Sequence, residues 1–141
     1  MLTVRKAKRQ DAEQLRELYF HHLTAFPPAE KQDMKKWESM IQSFEENLFY
    51  HLLVGEIGHK IVSSVTLVII PNLTHNCRPY AVIENVVTHC DFRGNHIATT
   101  LMAHASEIAR QADCYKIMLL TGSKKESTLH FYENCGFDQH I

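Results

Sequence analysis

Residues 93–98, which read Arg93-Gly94-Asn95-His96-Ile97-Ala98, lie between a predicted strand and a predicted helix. Residues 81–87 before them are rich in Val and Ile, and apolar residues recur at helical spacing after them. A strand, a short loop with glycine and a helix N-terminus make an anion site, because free backbone N–H groups and the positive end of the helix dipole face one point. The segment therefore predicts a site for a phosphate or pyrophosphate, although an ordinary strand-to-helix connection has the same local pattern.

A second motif near the C-terminus makes this prediction more specific. The chain reads Phe131-Tyr132-Glu133-Asn134-Cys135-Gly136-Phe137 there. In this order the two motifs resemble the GNAT N-acetyltransferase superfamily, in which an Arg/Gln-x-x-Gly-x-Gly/Ala loop binds the pyrophosphate of acetyl-CoA. The resemblance covers roughly residues 3–137.

Within this superfamily the chain looks most like the glucosamine-6-phosphate N-acetyltransferase branch. That branch has Ile-Glu-Asp in its fourth strand, where this chain has Ile83-Glu84-Asn85, and Cys-Tyr-Lys-Ile before its fifth strand, as in residues 114–117 here. The implied fold is α/β, with a mixed central β-sheet in the order β-α-α-β-β-β-α-β-α-β and helices on its faces. Such a domain would span residues 1–141, with its last strand or strands short or missing.

Hydrophobic periodicity gives the same element order. Strands are expected at residues 3–7, 49–57, 60–70, 80–88 and 116–121, and a sixth is expected to open at Phe137. Gly58-His59 is a predicted two-residue hairpin turn. Helices are expected at residues 11–23, 30–47, 95–111 and 126–134, the first of them ending at Pro27-Pro28.

The resemblance assigns the cofactor to one loop and one strand end. The loop residues are Arg93, Gly94, Asn95, His96, Ile97, Ala98 and Thr99. His96 departs from the family pattern, which usually has Gly at that position, but backbone amide donors do not depend on side-chain identity. In the family, strands four and five diverge beside this loop, and strand-four backbone groups pair with the pantetheine arm; here these are Val86, Val87 and Thr88.

Two side chains are candidates for proton transfer. Glu84 interrupts an apolar strand, and a carboxylate buried there would have a raised pKa suited to a general base. The alternative is an exposed or ion-paired strand carboxylate. Tyr132 occupies the position of the tyrosine that the family uses as general acid, and its alternative is a core aromatic. Glu84 and Asn85 are also the predicted substrate contacts, although Asn85 stands where the nearest branch has Asp.

Lys124 and Lys125 follow Thr121-Gly122-Ser123, between the fifth strand and the last helix. They are either phosphate contacts or part of a solvated loop.

The chain is therefore predicted to transfer an acetyl group from acetyl-CoA to a primary amine of a small molecule by direct attack. Two alternatives stay open, a non-catalytic acyl-CoA-binding module and an acetyltransferase of protein N-termini or lysines. An amino sugar phosphate is the most specific candidate acceptor.

Composition limits the partners. A net charge of −1 gives no basic field for nucleic acid or an anionic membrane, and no apolar run reaches the roughly 18 residues of a membrane span. With no signal-peptide pattern, a cytoplasmic location is expected. Four scattered cysteines predict free, mostly buried thiols, and the histidine spacing predicts no metal site.

A homodimer is the last expectation. A fifth or sixth strand at the sheet edge would leave N–H and C=O groups unpaired, and a second copy would pair them. Close relatives often dimerise through this region.

Overall fold

The computed structural model describes residues 1–24, 30–121 and 125–138. Its five strands are β1 (Leu2–Lys6), β2 (Tyr50–Ile57), β3 (Lys60–Ile70), β4 (Tyr80–Thr88) and β5 (Ile117–Leu119). Its helices are α1 (Ala12–Leu18), α2 (Met34–Glu46), the single turn α3 (Thr74–Cys77), α4 (Ile97–Gln111) and α5 (Glu126–Asn134). A π-helical turn, Tyr19–Leu23, continues α1.

The strands form one mixed sheet in the order β1-β2-β3-β4-β5. The first four strands pair antiparallel, and β5 pairs parallel to β4 after the crossover through α4. The hairpin between β2 and β3 turns at Gly58 and His59, both with positive φ, as a two-residue turn requires. The mixed α/β fold predicted from the sequence is confirmed.

Apolar side chains alternate along β2 and β3 and so build a core on each face of the sheet. On one face Leu53, Val65 and Leu67 pack against Leu101 and Met102 of α4. On the other face, Leu52, Val54 and Ile61 pack against α1 and α2. Both helix layers therefore pack on the same central strands, and α4 follows β4 in the chain after a short connection.

Several predicted boundaries were wrong. Helix α2 begins at Met34 rather than residue 30, because Asp33 caps it by accepting the amides of Lys35 and Lys36. Strand β5 is only three residues long, against six predicted. Phe137 does not open a strand, since it and Asp138 have no strand conformation. Pro27 and Pro28 lie outside the described residues.

The expected thiol burial was also wrong. Cys77 and Cys90 are exposed, and Cys114 and Cys135 are half-buried.

None of the helices in the described part of the chain has the length and apolar character needed to cross a membrane.

Candidate active site

A cleft of about 970 Å³ opens where β4 and β5 separate. The two strands pair only between residues 81–83 and residues 117–119. Beyond Ile83, β4 continues to Thr88, and no described residue of β5 accompanies it. The divergence of strands four and five that the family resemblance implied is therefore present. Val86, Val87 and Thr88 all line the cleft.

A β-bulge in β4 directs two neighbouring polar side chains into this cleft. The register with β3 shifts between Ser64 and Thr66, which pair with Val87 and Glu84. Asn85 within the bulge has φ +53°, a left-handed conformation that Asn tolerates better than most residues. The extra residue breaks the alternation of the strand, so that Glu84 and Asn85 are both exposed and line the cleft. Of the two alternatives for Glu84, the structure shows the exposed strand carboxylate.

Buried hydroxyls on β3 satisfy the backbone around the bulge. The Ser63 hydroxyl donates to the Val87 carbonyl at 2.8 Å and lies 2.9 Å from the Thr88 hydroxyl. The Ser64 hydroxyl donates to the Leu53 carbonyl at 2.8 Å. Sequence reasoning predicted the strand at residues 60–70 but assigned no role to these serines. The signal was the pair of serines itself, because a polar side chain in a buried strand needs a hydrogen-bond partner.

The predicted cofactor loop leads into the N-terminus of α4 and lines the cleft. Gly94 has φ +84° and His96 has φ +59°, so both adopt the left-handed conformation. This geometry explains why glycine suits the position of His96, since a side chain there is strained. His96 is the N-cap residue of α4, and its carbonyl accepts the Thr100 amide at 3.0 Å.

Six of the seven predicted loop residues line the cleft: Arg93, Gly94, His96, Ile97, Ala98 and Thr99. Asn95 is not among the lining residues, and its side-chain amide donates to the Phe92 carbonyl at 3.3 Å. Arg93 is held by a bond from its Nε to the Thr88 carbonyl at 3.2 Å. The Arg93 bond therefore connects the loop to the end of β4, and the Asn95 bond connects it to the preceding turn.

Helix α5 forms the opposite wall of the cleft. Tyr132 is half-buried there, in T-shaped contact with Phe131 at a ring-centroid distance of 5.3 Å. Burial, and to a lesser extent the neighbouring Cys135, raises the pKa of the Tyr132 phenol. Lys125 and Thr128 also line the cleft, whereas Lys124 lies outside the described residues. The structure therefore brings the base candidate, the acid candidate and the anion loop around one space.

Two histidines that the sequence did not single out lie beside the loop. His22 and His89 come together from distant segments of the chain, and with Cys90 they place potential metal-ligating atoms within 4.8 Å of one another. Sequence spacing did not reveal this cluster because it forms only when the π-helical turn packs against the end of β4. The absence of a metal site stays a prediction.

Comparison with known proteins agrees with the geometry. Residues 12–137 match the family model described as the acetyltransferase (GNAT) family. A glucosamine 6-phosphate N-acetyltransferase of Trypanosoma brucei brucei is 33% identical over 125 residues, covering 84% of this chain and 78% of the relative. Glucosamine 6-phosphate N-acetyltransferase 1 of Dictyostelium discoideum is 30% identical and covers 72% of this chain, which spans 62% of that protein.

Among solved structures, a protein from Agrobacterium tumefaciens str. C58 is 37% identical with a TM-score of 0.89. The alignment covers 99% of this chain and 94% of that one. The chain therefore belongs to the acetyltransferase (GNAT) family and is an acetyl-CoA-dependent N-acetyltransferase.

Proposed function

We propose that this protein acetylates the amino group of glucosamine 6-phosphate, with acetyl-CoA as the donor. The relatives from Trypanosoma and Dictyostelium carry that activity in their names, and the Trypanosoma relative aligns with most of this chain. The observation that carries the proposal is the cleft between β4 and α5, which joins an anion loop to a carboxylate and a phenol.

The cofactor is held by backbone groups in this proposal. The pyrophosphate binds the amides at the N-terminus of α4, a helix of 15 residues whose dipole favours an anion there. The pantetheine arm lies along residues 86–88, where β4 has no β5 neighbour in the described chain. An amide of this segment polarises the thioester carbonyl and stabilises the oxyanion. Arg93 adds positive charge beside the phosphates.

The reaction then needs a base, an acid and three proton transfers. Glu84 removes the proton from the substrate ammonium, directly or through water, and the free amine attacks the thioester carbon. A C–N bond forms, the tetrahedral intermediate collapses, and the C–S bond breaks. Tyr132 donates its proton to the departing thiolate, giving CoA. The resulting phenolate takes back the second proton from the acetylated nitrogen, directly or through water, which leaves the neutral amide. A raised pKa keeps the Tyr132 phenol protonated until the thiolate departs.

The test is thiol release from acetyl-CoA over a panel of amines. We expect glucosamine 6-phosphate to react fastest, and glucosamine without its phosphate to react more slowly. Asn85 is the observation that favours a second candidate, another small primary amine, because the nearest branch has Asp there. A rate on peptides but on no small amine would contradict both candidates. Acetyl-CoA binding without turnover on any amine would instead identify a non-catalytic module.

A further inference from the structure

Two neighbouring imidazoles, with their rings tilted against each other, lie beside the cofactor loop. His22 belongs to the π-helical turn Tyr19–Leu23, and His89 follows β4 directly. Their ring centroids are 4.2 Å apart, with the rings tilted by 38°. Both are half-buried, and both line a smaller groove of about 390 Å³ that adjoins the main cleft at His22.

Each ring accepts a backbone amide of the same short turn. The Cys90 amide donates to His22 Nδ1 at 3.3 Å, and the Asp91 amide donates to His89 Nδ1 at 3.1 Å. His89 is thereby the N-cap of the 3₁₀ turn Cys90–Phe92. A neutral imidazole that accepts through Nδ1 carries its proton on Nε2. If either ring were protonated, an N–H would face an N–H and the bond would be lost.

This turn fixes the start of the cofactor loop. Arg93 follows it directly as its C-cap residue, with its amide 3.5 Å from the Cys90 carbonyl. The Asn95 side chain donates to the Phe92 carbonyl, so the loop is anchored to the turn a second time. A shift of residues 90–92 would therefore displace the amides proposed to hold the pyrophosphate.

We propose that His22 and His89 are positioning residues for acetyl-CoA binding, which hold the cofactor loop only while both imidazoles are neutral. The inference rests on the proposed role of residues 93–99. It predicts that cofactor affinity falls when the solution is acidified.

The surrounding charges determine the pH range. Burial lowers the pKa of His22, as do the neighbouring His89, Arg93 and His21, while Asp91 acts in the opposite sense. The groove that both rings line also contains Glu13, Glu17 and Lys60, and the Glu17 carboxylate is paired with His21 at 3.0 Å.

A histidine whose folded pKa lies below its ordinary value of about 6.5 supports the folded loop above that pH. This stabilisation of the loop is lost as the pH falls from about 6.5 to the lowered pKa that the histidine has in the folded protein.

The same cluster has the composition of a metal site, since the Cys90 thiol lies beside both rings. However, both Nδ1 lone pairs already accept amides, and the Nε2 atoms of such neutral rings carry protons. Metal binding would require both amide bonds to break. The hydrogen bonds therefore favour the positioning role, and metal dependence becomes an outcome of the test.

The experiment measures the Kd of acetyl-CoA by calorimetry between about pH 5.5 and 8, with and without EDTA, because histidine titrates in this range. The key variant is the pair His22→Asn and His89→Asn, whose side-chain oxygens can take the place of Nδ1 as acceptors but do not titrate. The pair His22→Ala and His89→Ala removes the acceptors. His104→Ala, an exposed position on α4, is the control.

We expect wild-type affinity to fall about tenfold on acidification, as for loss of one to two capping bonds. The asparagine pair should keep the neutral-pH affinity and lose this dependence. The alanine pair should bind about tenfold more weakly than the wild type at neutral pH and should show little further loss on acidification. An asparagine pair with the wild-type pH profile, or an alanine pair with wild-type affinity at neutral pH, would overturn the proposal. So would an affinity that EDTA alone abolishes, because it would identify a metal site instead.

A second readout does not depend on the cofactor. Nitrogen NMR of the two rings at neutral pH should show unprotonated Nδ1 and protonated Nε2, and acidification should shift the Cys90 and Asp91 amide signals. Protonated Nδ1 at neutral pH would contradict the inference. If neither the wild type nor any variant binds acetyl-CoA at any pH, the proposed function is wrong. The NMR signals then still show whether the two histidines accept the amides of the turn.

Discussion

At the scale of single residues, Tyr132 combines a half-buried phenol with a position on the cleft wall. Replacing it by Phe removes one hydroxyl and keeps the ring that packs beside Phe131. We expect kcat to fall by about 100-fold with unchanged acetyl-CoA affinity, as for loss of one general acid. Steady-state kinetics together with calorimetry measures both. Wild-type kinetics from this variant would remove Tyr132 from the mechanism, and Phe131→Leu is the control for lost packing.

Glu84 gives a prediction with a pH signature. Its side chain is exposed in the open cleft, so Glu84→Gln should leave the fold intact. Without a base, the reaction depends on amine that is already deprotonated, and this fraction shrinks as pH falls. We therefore expect a loss of at least about tenfold in kcat/KM that is greatest at low pH. An equal loss at every pH, with a raised KM, would show that Glu84 binds the substrate instead.

The candidate site residues found from sequence are those whose signal is local. Residues 93–99 and Tyr132 belong to contiguous motifs, and Glu84 stands out against its own strand. His22 and His89 have no such signal, because their meaning depends on a contact between distant segments. The sequence could not decide between a buried and an exposed Glu84, because the register shift opposite Ser64 and Thr66 depends on a neighbouring strand.

At the scale of elements, the N-terminus of α4 carries a strained residue. His96 has φ +59° and ψ +21°, a conformation that costs a residue with a Cβ roughly 1–2 kcal/mol. We expect His96→Gly to be as stable as the wild type or up to about 1 kcal/mol more stable. Glycine removes the strain of the left-handed conformation, but it loses more chain entropy on folding, which offsets part of the gain. His96→Val should lose about 1–2 kcal/mol.

Urea unfolding checks the stability of both His96 variants, and calorimetry with acetyl-CoA supplies the second measurement. Because the loop binds through amides in our proposal, His96→Gly should keep the cofactor affinity. A glycine variant that is stable but binds weakly would show that the imidazole itself contacts the phosphates.

The connection between β1 and α1 contains a buried carboxylate. Asp11 is 4% exposed, and its two oxygens accept from Arg5 at 2.8 and 3.0 Å. The Lys8 amide also donates to it at 2.7 Å. Burial alone would raise the pKa of Asp11, but these bonds outweigh it and lower the pKa below its ordinary value. Asp11 therefore stabilises the fold above about pH 4, and this contribution is lost as pH falls below that.

We expect Asp11→Asn to reduce the free energy of unfolding by about 2 kcal/mol at neutral pH. The difference from wild type should shrink in acid. Urea unfolding at several pH values tests this, with the exposed Glu13→Gln as control. An Asp11→Asn difference that does not shrink as pH falls below about 4 would contradict the ionic account.

We expect residues 1–141 to unfold in one transition, as for a single domain, because both core clusters include residues of β2 and β3. The same urea titrations measure this.

Element types were predictable here to a greater extent than element ends. The β2–β3 hairpin, β4 and α5 follow from patterns within their own residues, and α5 has the predicted bounds. The length of β5 is not encoded locally, since it depends on where β4 turns away at its bulge. Similarly, Asp33 rather than an apolar repeat determines where α2 begins.

At the scale of the whole molecule, β5 is one of the two edge strands of the sheet in the described part of the chain. Within the described chain it pairs only with β4, and Met118 and Leu120 beside that edge are 38% and 81% exposed. An open apolar edge favours pairing with another strand. We propose a homodimer in which two copies meet along β5, because a two-fold axis lets the two β5 edges pair with each other.

Sedimentation at micromolar concentration should give about twice the chain mass of 16.3 kDa. The double variant Met118→Lys and Leu120→Lys should be a monomer, because the β5 edges of two copies would then carry like charges. Leu73→Lys, at an exposed position outside β5, is the control and should remain a dimer. A wild-type mass near that of one chain would refute the dimer, and a dimer that survives the β5 charges would refute this edge as its interface.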